Sequence, residues 1–281
     1  MVVQLVGIVA IAYLALLLLL RLSEGRLLYA PGTRALLPPP PALGLAPERI
    51  AFAASDGTPL VAWLIRAAVA SSSAPWLLVC HGNAGNLSDV GRPAHYAGLR
   101  ALGLNILAFD YRGYGESGGS PTEAGLYADA EAAYRYLTDT LQVPAERIVL
   151  FGHSLGSTVA VELATRVSAA GLVLDGALAS VTARAQEVYF YVPVRWIARS
   201  RYASIDKIGR VAMPKLFRHA RADDVVPIGH GRRLFEAASE PKTFVPLAGG
   251  HGDSFEIDSA AYFGAIRRFL ATLPSSRPQR L

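Results

Sequence analysis

The residues best placed to do chemistry begin with Ser154, the centre of Gly152-His153-Ser154-Leu155-Gly156. The apolar run Val149-Leu150-Phe151 leads into it, and the helix-compatible stretch Thr158-Val159-Ala160-Val161-Glu162-Leu163-Ala164 follows. A strand that turns sharply into a helix at Gly-x-Ser-x-Gly leaves the serine hydroxyl exposed at the helix N-terminus, where it can act as a nucleophile. The flanking glycines relieve crowding where strand and helix pass close together. A serine hydroxyl needs a neighbouring imidazole to take its proton, and the imidazole needs a carboxylate to orient it and stabilise its charged form. His251, in Gly249-Gly250-His251-Gly252, and the adjacent pair Asp223 and Asp224 supply these groups, in the chain order Ser, Asp, His. Negative charge developing on a carbonyl oxygen calls for preorganised N–H donors. The main-chain N–H groups of Leu155 and of Asn83, in His81-Gly82-Asn83-Ala84-Gly85-Asn86, are assigned that task, with Ala84 as the alternative to Asn83. His81 reads as a brace of its own loop rather than as a second base.

These groups can converge only if the chain places them at one end of a sheet. Trp76–Cys80, Asn105–Phe109, Ile148–Phe151 and Leu172–Leu174 are short apolar runs without alternation, the pattern of strands covered on both faces by helices. Lys215–Phe217 and Thr243–Val245 supply two more strands, and helices are expected over 123–137, 158–167 and 260–273. Each candidate residue follows one of the runs, and crevices form at the carboxyl ends of parallel strands. Ile50–Ala54 and Leu60–Ile65 flank Ser55-Asp56-Gly57-Thr58, which predicts a hairpin. The fold class is therefore α/β, a mostly parallel central sheet with an antiparallel N-terminal hairpin and helices on both faces. An insertion at about 179–213, rich in large residues, is expected to form a small cap over the cleft. Tyr189, Tyr191 and Trp196 would line the substrate pocket, with Tyr111 and Tyr114 at its mouth.

Residues 2–20 carry no charge and approach the roughly 20 residues that a helix needs to cross the hydrocarbon layer. No basic segment precedes them and no Ala-x-Ala site follows, so an uncleaved anchor fits better than a secretory signal. Arg21, Arg26 and Arg34 lie just beyond, which predicts a single-pass membrane protein with its folded domain in the cytoplasm. The expected organisation is an anchor at 1–22, a proline-rich tether at 23–47, one folded domain at 48–274 and a flexible tail at 275–281. Since no candidate site residue precedes it, a chain beginning near Arg34 is expected to be soluble and active. The 27 basic and 22 acidic side chains give a formal charge of only +5. They are scattered rather than clustered, so nucleic acid is not an expected partner. Cys80, the single cysteine, reads as a core residue. No metal-site spacing occurs, no cofactor is implied, and no feature specifies an oligomeric state.

Taken together, His81 to Asn86, Asp110-Tyr111-Arg112-Gly113-Tyr114-Gly115-Glu116-Ser117-Gly118-Gly119, Gly152 to Gly156, Asp223-Asp224-Val225-Val226-Pro227 and Gly250-His251-Gly252-Asp253 form a recognisable set. The chain resembles the α/β-hydrolase superfamily, and within it the membrane-anchored, Bem46-like subgroup that includes the α/β-hydrolase-domain proteins 13 and 17 of animals. The resemblance implies the α/β-hydrolase fold. It places the acid on Asp223, which is followed by one variable residue and then Val-Val-Pro, although His219-Ala220 stands where many hydrolases have His-Gly. It further implies a carboxylesterase-like serine hydrolase that cleaves carboxylic ester or thioester bonds of small-molecule or lipid-like acyl substrates through an acyl-enzyme. The alternatives are a protein S-acyl thioesterase of depalmitoylase type, a serine peptidase, and a non-enzymatic membrane scaffold.

Overall fold

The computed structural model describes residues 2–273 apart from 33, 34, 70, 72 and 90. Arg34 and the expected tail at 275–281 lie outside the described residues. The apolar runs form a single sheet of β1 (Glu48–Ala53), β2 (Pro59–Ile65), β3 (Trp76–Cys80), β4 (Asn105–Phe109), β5 (Ile148–His153), β6 (Gly171–Asp175), β7 (Lys215–Ala220) and β8 (Lys242–Leu247). Its order is β1-β2-β4-β3-β5-β6-β7-β8. β1 and β2 are the expected antiparallel hairpin, β2 is also antiparallel to β4, and the remaining pairs are parallel. β5, which carries the Gly-x-Ser-x-Gly turn, therefore lies between β3, which leads into the His81–Asn86 loop, and β6.

Along the chain the helices are α1 (Val2–Leu28), α2 (Arg92–Arg100), α3 (Glu123–Arg135), α4 (Leu155–Ala164), α5 (Val181–Val188), α6 (Val194–Ile197), α7 (Ile228–Ala237), α8 (Ser254–Ile257) and α9 (Ser259–Thr272). Their placement explains why the central strands are apolar at successive positions. Leu78, Leu107, Leu150 and Leu174 pack on one face with Leu126 and Ala130 of α3 and Val159 and Leu163 of α4. Leu77, Val79, Ile106, Val149 and Phe151 pack on the other with Tyr96 and Leu99 of α2 and Ile266 and Phe269 of α9. Side chains alternate between faces, and both faces are dry. The start of α3 is fixed by Thr122, whose side chain accepts the Gly125 N–H, an N-cap that satisfies an otherwise orphaned donor.

α1 has no buried residue, and at 1.5 Å per residue its length is about 40 Å. It runs six residues past the expected anchor boundary because its last turns find partners on the domain. Arg21 donates to the carbonyl of Ile197 at 2.8 Å, and the Glu24 carboxylate accepts the N–H groups of Arg199 and Ser200, both at 2.7 Å. The segment read as a tether contains a short helical turn at Pro41–Leu43, and it does not begin as a free spacer. Tyr29 is buried with its hydroxyl 2.8 Å from that of Tyr202, and Ala30 forms a parallel bridge with Ala84.

The excursion at 179–213 consists of α5, α6 and short turns at Ser204–Asp206 and Ile208–Arg210. It packs between α1 and the loop after β7. Arg184 of α5 donates to the carbonyls of Val225, at 2.6 Å, and Asp224, at 3.2 Å.

Candidate active site

At the carboxyl end of β5 the chain reverses into α4 within a single residue. Ser154 takes φ +52° and ψ −123°, a backbone conformation that costs on the order of 1–3 kcal/mol for a residue other than glycine. The surroundings hold it there. Ser154 N–H donates to Asp175 O at 3.0 Å, and its own carbonyl accepts from the N–H and the hydroxyl of Ser157. The two motif glycines are required by space. A Cβ at position 152 would lie 2.5 Å from the carbonyl oxygen of Gly156, and one at 156 would lie 2.0 Å from that of Cys80.

Ser154 Oγ is 2.8 Å from His251 Nε2, and His251 Nδ1 is 2.8 Å from Asp223 Oδ2. Asp223 is buried, and its second oxygen accepts the N–H groups of Val226, at 2.7 Å, and Val225, at 3.1 Å. Burial alone would raise its pKa, but contacts from His219 and His251 and the Val226 N–H outweigh that and hold the carboxyl well below the usual range. Asp224 is exposed. The contact with His251 belongs to Asp223, so the two carboxylates that spacing leaves equivalent are distinct in three dimensions.

A further residue supports His251. His153 Nε2 lies 3.0 Å from the carbonyl oxygen of His251. Burial, more than any neighbouring charge, pushes the His153 imidazole down to about 4. A neutral ring facing a carbonyl must present N–H there, so His153 donates and fixes the backbone of the histidine loop. Sequence reasoning missed this role because the second position of Gly-x-Ser-x-Gly is unconstrained by the motif.

The His81–Asn86 loop is pinned by its carbonyls. Tyr111 Oη donates to His81 O at 3.0 Å, and Tyr114 Oη donates to Asn83 O at 2.8 Å. Gly82 O lies 2.7 Å from His81 Nδ1 and 3.3 Å from Arg92 Nη2, and the Arg92 guanidinium also donates to the carbonyls of Ala84 and Asn86. In a trans peptide the C=O and the following N–H point in opposite directions. Anchoring Gly82 O therefore aims the Asn83 N–H, and anchoring Asn83 O aims the Ala84 N–H. The segment after α1 joins in this bracing. Ala30 N–H donates to Asn83 O at 3.2 Å, Gly85 N–H donates to Ala30 O at 2.9 Å, and the Asn83 side-chain amide donates to Leu28 O at 2.8 Å. Leu155 opens α4, so its N–H has no acceptor within the helix.

Beside Ser154 and His251 is an open cavity of about 460 Å³. Loop residues 82–85 line it together with Arg92, which donates to their carbonyls, and with His95, Asp175, Phe255 and Tyr262. The expected pocket residues are elsewhere. Tyr111 and Tyr114 are fully buried beneath the loop, because their hydroxyls are spent on its carbonyls. Tyr189, Tyr191 and Trp196 do not line the cavity. Their segment packs along α1 instead of folding over the strand ends, and Tyr191 and Trp196 are exposed. Arg112 pairs with Asp129 and Asp56 rather than with Asp110, and Asp110 instead accepts the Leu87 N–H at 3.0 Å. Cys80 is buried, which pushes its thiol up to about 12, as a core residue requires.

Three of the lining residues, His95, Asp175 and Tyr262, belong to a polar network that no local motif announced. Tyr262 Oη donates to Asp175 Oδ2 at 2.6 Å and lies 2.8 Å from His95 Nε2. The Arg218 guanidinium sits 3.8 Å over the Tyr262 ring and 3.3 Å from the Asp175 carboxylate. Burial pushes His95 down to about 3, so the neutral ring donates to Tyr262.

Residues 75–204 match the family model described as alpha/beta hydrolase fold. An uncharacterized protein of Mycobacterium tuberculosis is 38% identical over 268 residues, which cover 94% of this chain and 93% of that one. Alpha/beta hydrolase domain-containing protein 17B of Homo sapiens is 35% identical over 179 residues, 63% of this chain and 60% of that protein. Among solved structures, an esterase of Pyrococcus furiosus superposes with a TM-score of 0.70 at 20% identity, covering 88% of this chain and 98% of that one. With the sheet order and the strand-to-helix turn at Ser154, these matches establish that the chain belongs to the α/β-hydrolase fold family.

Proposed function

We propose that the protein is a serine hydrolase of carboxylic esters or thioesters, held at a membrane by α1, with its domain on the cytoplasmic side. The observation that carries this reading is the continuous hydrogen-bond chain Ser154–His251–Asp223, at 2.8 and 2.8 Å, on a turn with positive φ. His251 Nε2 takes the Ser154 proton as Oγ attacks the acyl carbon. Asp223, held ionised, keeps the other ring nitrogen protonated and stabilises the imidazolium. The N–H groups of Leu155 and Asn83, or Ala84 in place of Asn83, receive the oxyanion. His251 then returns the proton to the departing alcohol or thiol, and water releases the acyl group by the same route. An open cavity of about 460 Å³ lies within the roughly 300–1,000 Å³ range of small-molecule sites and suits a short or medium acyl group. The anchor reading rests on the length and apolar composition of α1.

The test is labelling by a fluorophosphonate probe, together with turnover of p-nitrophenyl esters of rising acyl length and of an acyl thioester. Ser154→Ala is expected to abolish labelling and to lower turnover by several orders of magnitude. His251→Ala should do nearly the same, and the double variant should be little worse than either, because the residues act as a unit. Full hydrolysis by purified Ser154→Ala would overturn the reading.

A further inference from the structure

Between Phe190 and Trp196 the excursion that joins β6 to β7 turns its valines inward and its aromatic side chains outward. Val192 and Val194 are buried, whereas Phe190, Tyr191 and Trp196 are 80%, 55% and 73% exposed. α1 shows which way they face. Tyr13 Oη donates to the carbonyl of Tyr191 at 2.8 Å, Arg21 reaches Ile197 O, and Glu24 accepts from Arg199 and Ser200. These contacts descend α1 from Tyr13 to Glu24, about 16 Å along its axis at 1.5 Å per residue. The chain from Tyr191 to Ser200 therefore runs alongside the helix, with Tyr191 level with the middle of the uncharged run and Ser200 near the helix end. Charge is graded along the same direction. Arg195, Arg199 and Arg201 are exposed on the excursion, and Arg21 and Arg26 are exposed on α1. Aromatic side chains at the apolar end and arginines toward the other are what an interfacial segment presents to lipid.

We propose that the edge from Val188 to Ile197 is embedded in the leaflet that the C-terminal half of α1 crosses. Phospholipid acyl chains cover Phe190, Tyr191 and Trp196, and headgroup phosphates meet Arg195 and Arg199. The inference rests on the anchor reading of α1. The occupant is lipid because the surface is continuous with α1, so whatever surrounds the helix at Tyr13 also meets Tyr191. The domain would then be held at two places, which fixes its rotation about the helix axis.

The full chain can be tested in vesicles of phosphatidylcholine with a minor fraction of phosphatidylglycerol, with acyl chains either plain or brominated at mid-chain. Of the three tryptophans, Trp63 and Trp76 are buried in the core at 4% exposure, so contact quenching by bromine reports on Trp196. The expected result is loss of the Trp196 share of emission in brominated vesicles, absent in Trp196→Phe. A second pair of variants, Phe190→Asp and Tyr191→Asp, should weaken quenching of Trp196 while hydrolysis of a water-soluble ester is unchanged. Equal emission in plain and brominated vesicles, from protein that resists a carbonate wash, would overturn the embedded edge and leave the anchor standing. Equal emission with Trp196 shielded from acrylamide by a co-purifying protein would assign the surface to that protein and overturn the proposal. Release by carbonate would overturn both the anchor and the embedded edge. Ester hydrolysis in the same samples reports separately on the hydrolase reading.

Discussion

Removing the apolar N-terminal helix is expected to have opposite outcomes depending on where the cut falls. A chain beginning at Ser23 keeps Leu28 and Ala30, while one beginning at Arg34 loses them. The longer deletion removes three hydrogen bonds to the His81–Asn86 loop, from Ala30 N–H to Asn83 O, from Gly85 N–H to Ala30 O and from the Asn83 amide to Leu28 O. At about 1 kcal/mol net for each, up to about 3 kcal/mol of loop ordering is lost, although Tyr114 and Arg92 still hold part of the loop. Each 1.36 kcal/mol is tenfold in rate, so kcat on a soluble p-nitrophenyl ester should fall about ten- to a hundredfold from the shorter deletion to the longer. Ala30→Pro in the full chain removes one of the three donors and should cost a few-fold. The comparison is made on proteins with matching circular dichroism. Equal kcat in the two truncated chains would refute the claim that the segment after α1 positions the loop, and would restore the sequence-based expectation that a chain starting near Arg34 keeps its activity.

Asp223→Asn should reduce kcat by on the order of 10³–10⁴, whereas exposed Asp224→Asn should stay within a few-fold; comparable losses would move the acid. Burial pushes His153 from the ordinary 6.5 down to about 4 in the folded chain, so between these values the unfolded chain binds the proton that the native state refuses. Stability is then fully present above 6.5 and lost as pH falls toward 4, by at most about 3 kcal/mol at full burial and by less for this half-buried ring. Asp223, held low, adds to the loss only below the ordinary carboxylate range. Denaturant midpoints measured across this window should slope less in His153→Asn than in the parent, and parallel slopes would refute the assignment. Trp196→Ala and Tyr191→Ala should leave acyl-length selectivity unaltered, because neither residue lines the cavity; a selective loss on medium chains would return them to the pocket.

The sheet was legible because its strands announce themselves. Runs such as Trp76–Cys80 and Ile148–Phe151 are apolar at every position, and dry faces on both sides demand it. Ser154, His251 and Asp223 could be picked out because glycine spacing and strand ends restrict where such groups can sit, and the structure brings the three together. What stayed hidden is held by the main chain or by distant partners. Ala30 acts through its backbone N–H and C=O, which leave no mark on residue type. His153 occupies a motif position that tolerates any side chain. Tyr111 and Tyr114 lie in a turn, where no periodicity separates inward from outward. The aromatic residues of the excursion look alike in sequence whether they cover a cleft or lie beside α1, and only the contacts with α1 distinguish the two.

The cavity beside Ser154 has no roof from residues 179–213, which governs the fate of an acyl-enzyme under the proposed serine-hydrolase reading. An acyl group on Ser154 would stand in contact with bulk solvent, so water at its full concentration competes with any alcohol or thiol for the acyl carbon. Such a site partitions toward hydrolysis and is a poor transferase unless an acceptor is held in place. The same openness leaves the departing group unconfined. Selectivity would then be imposed on the acyl side, and the leaving group could be as large as a side chain still attached to another macromolecule.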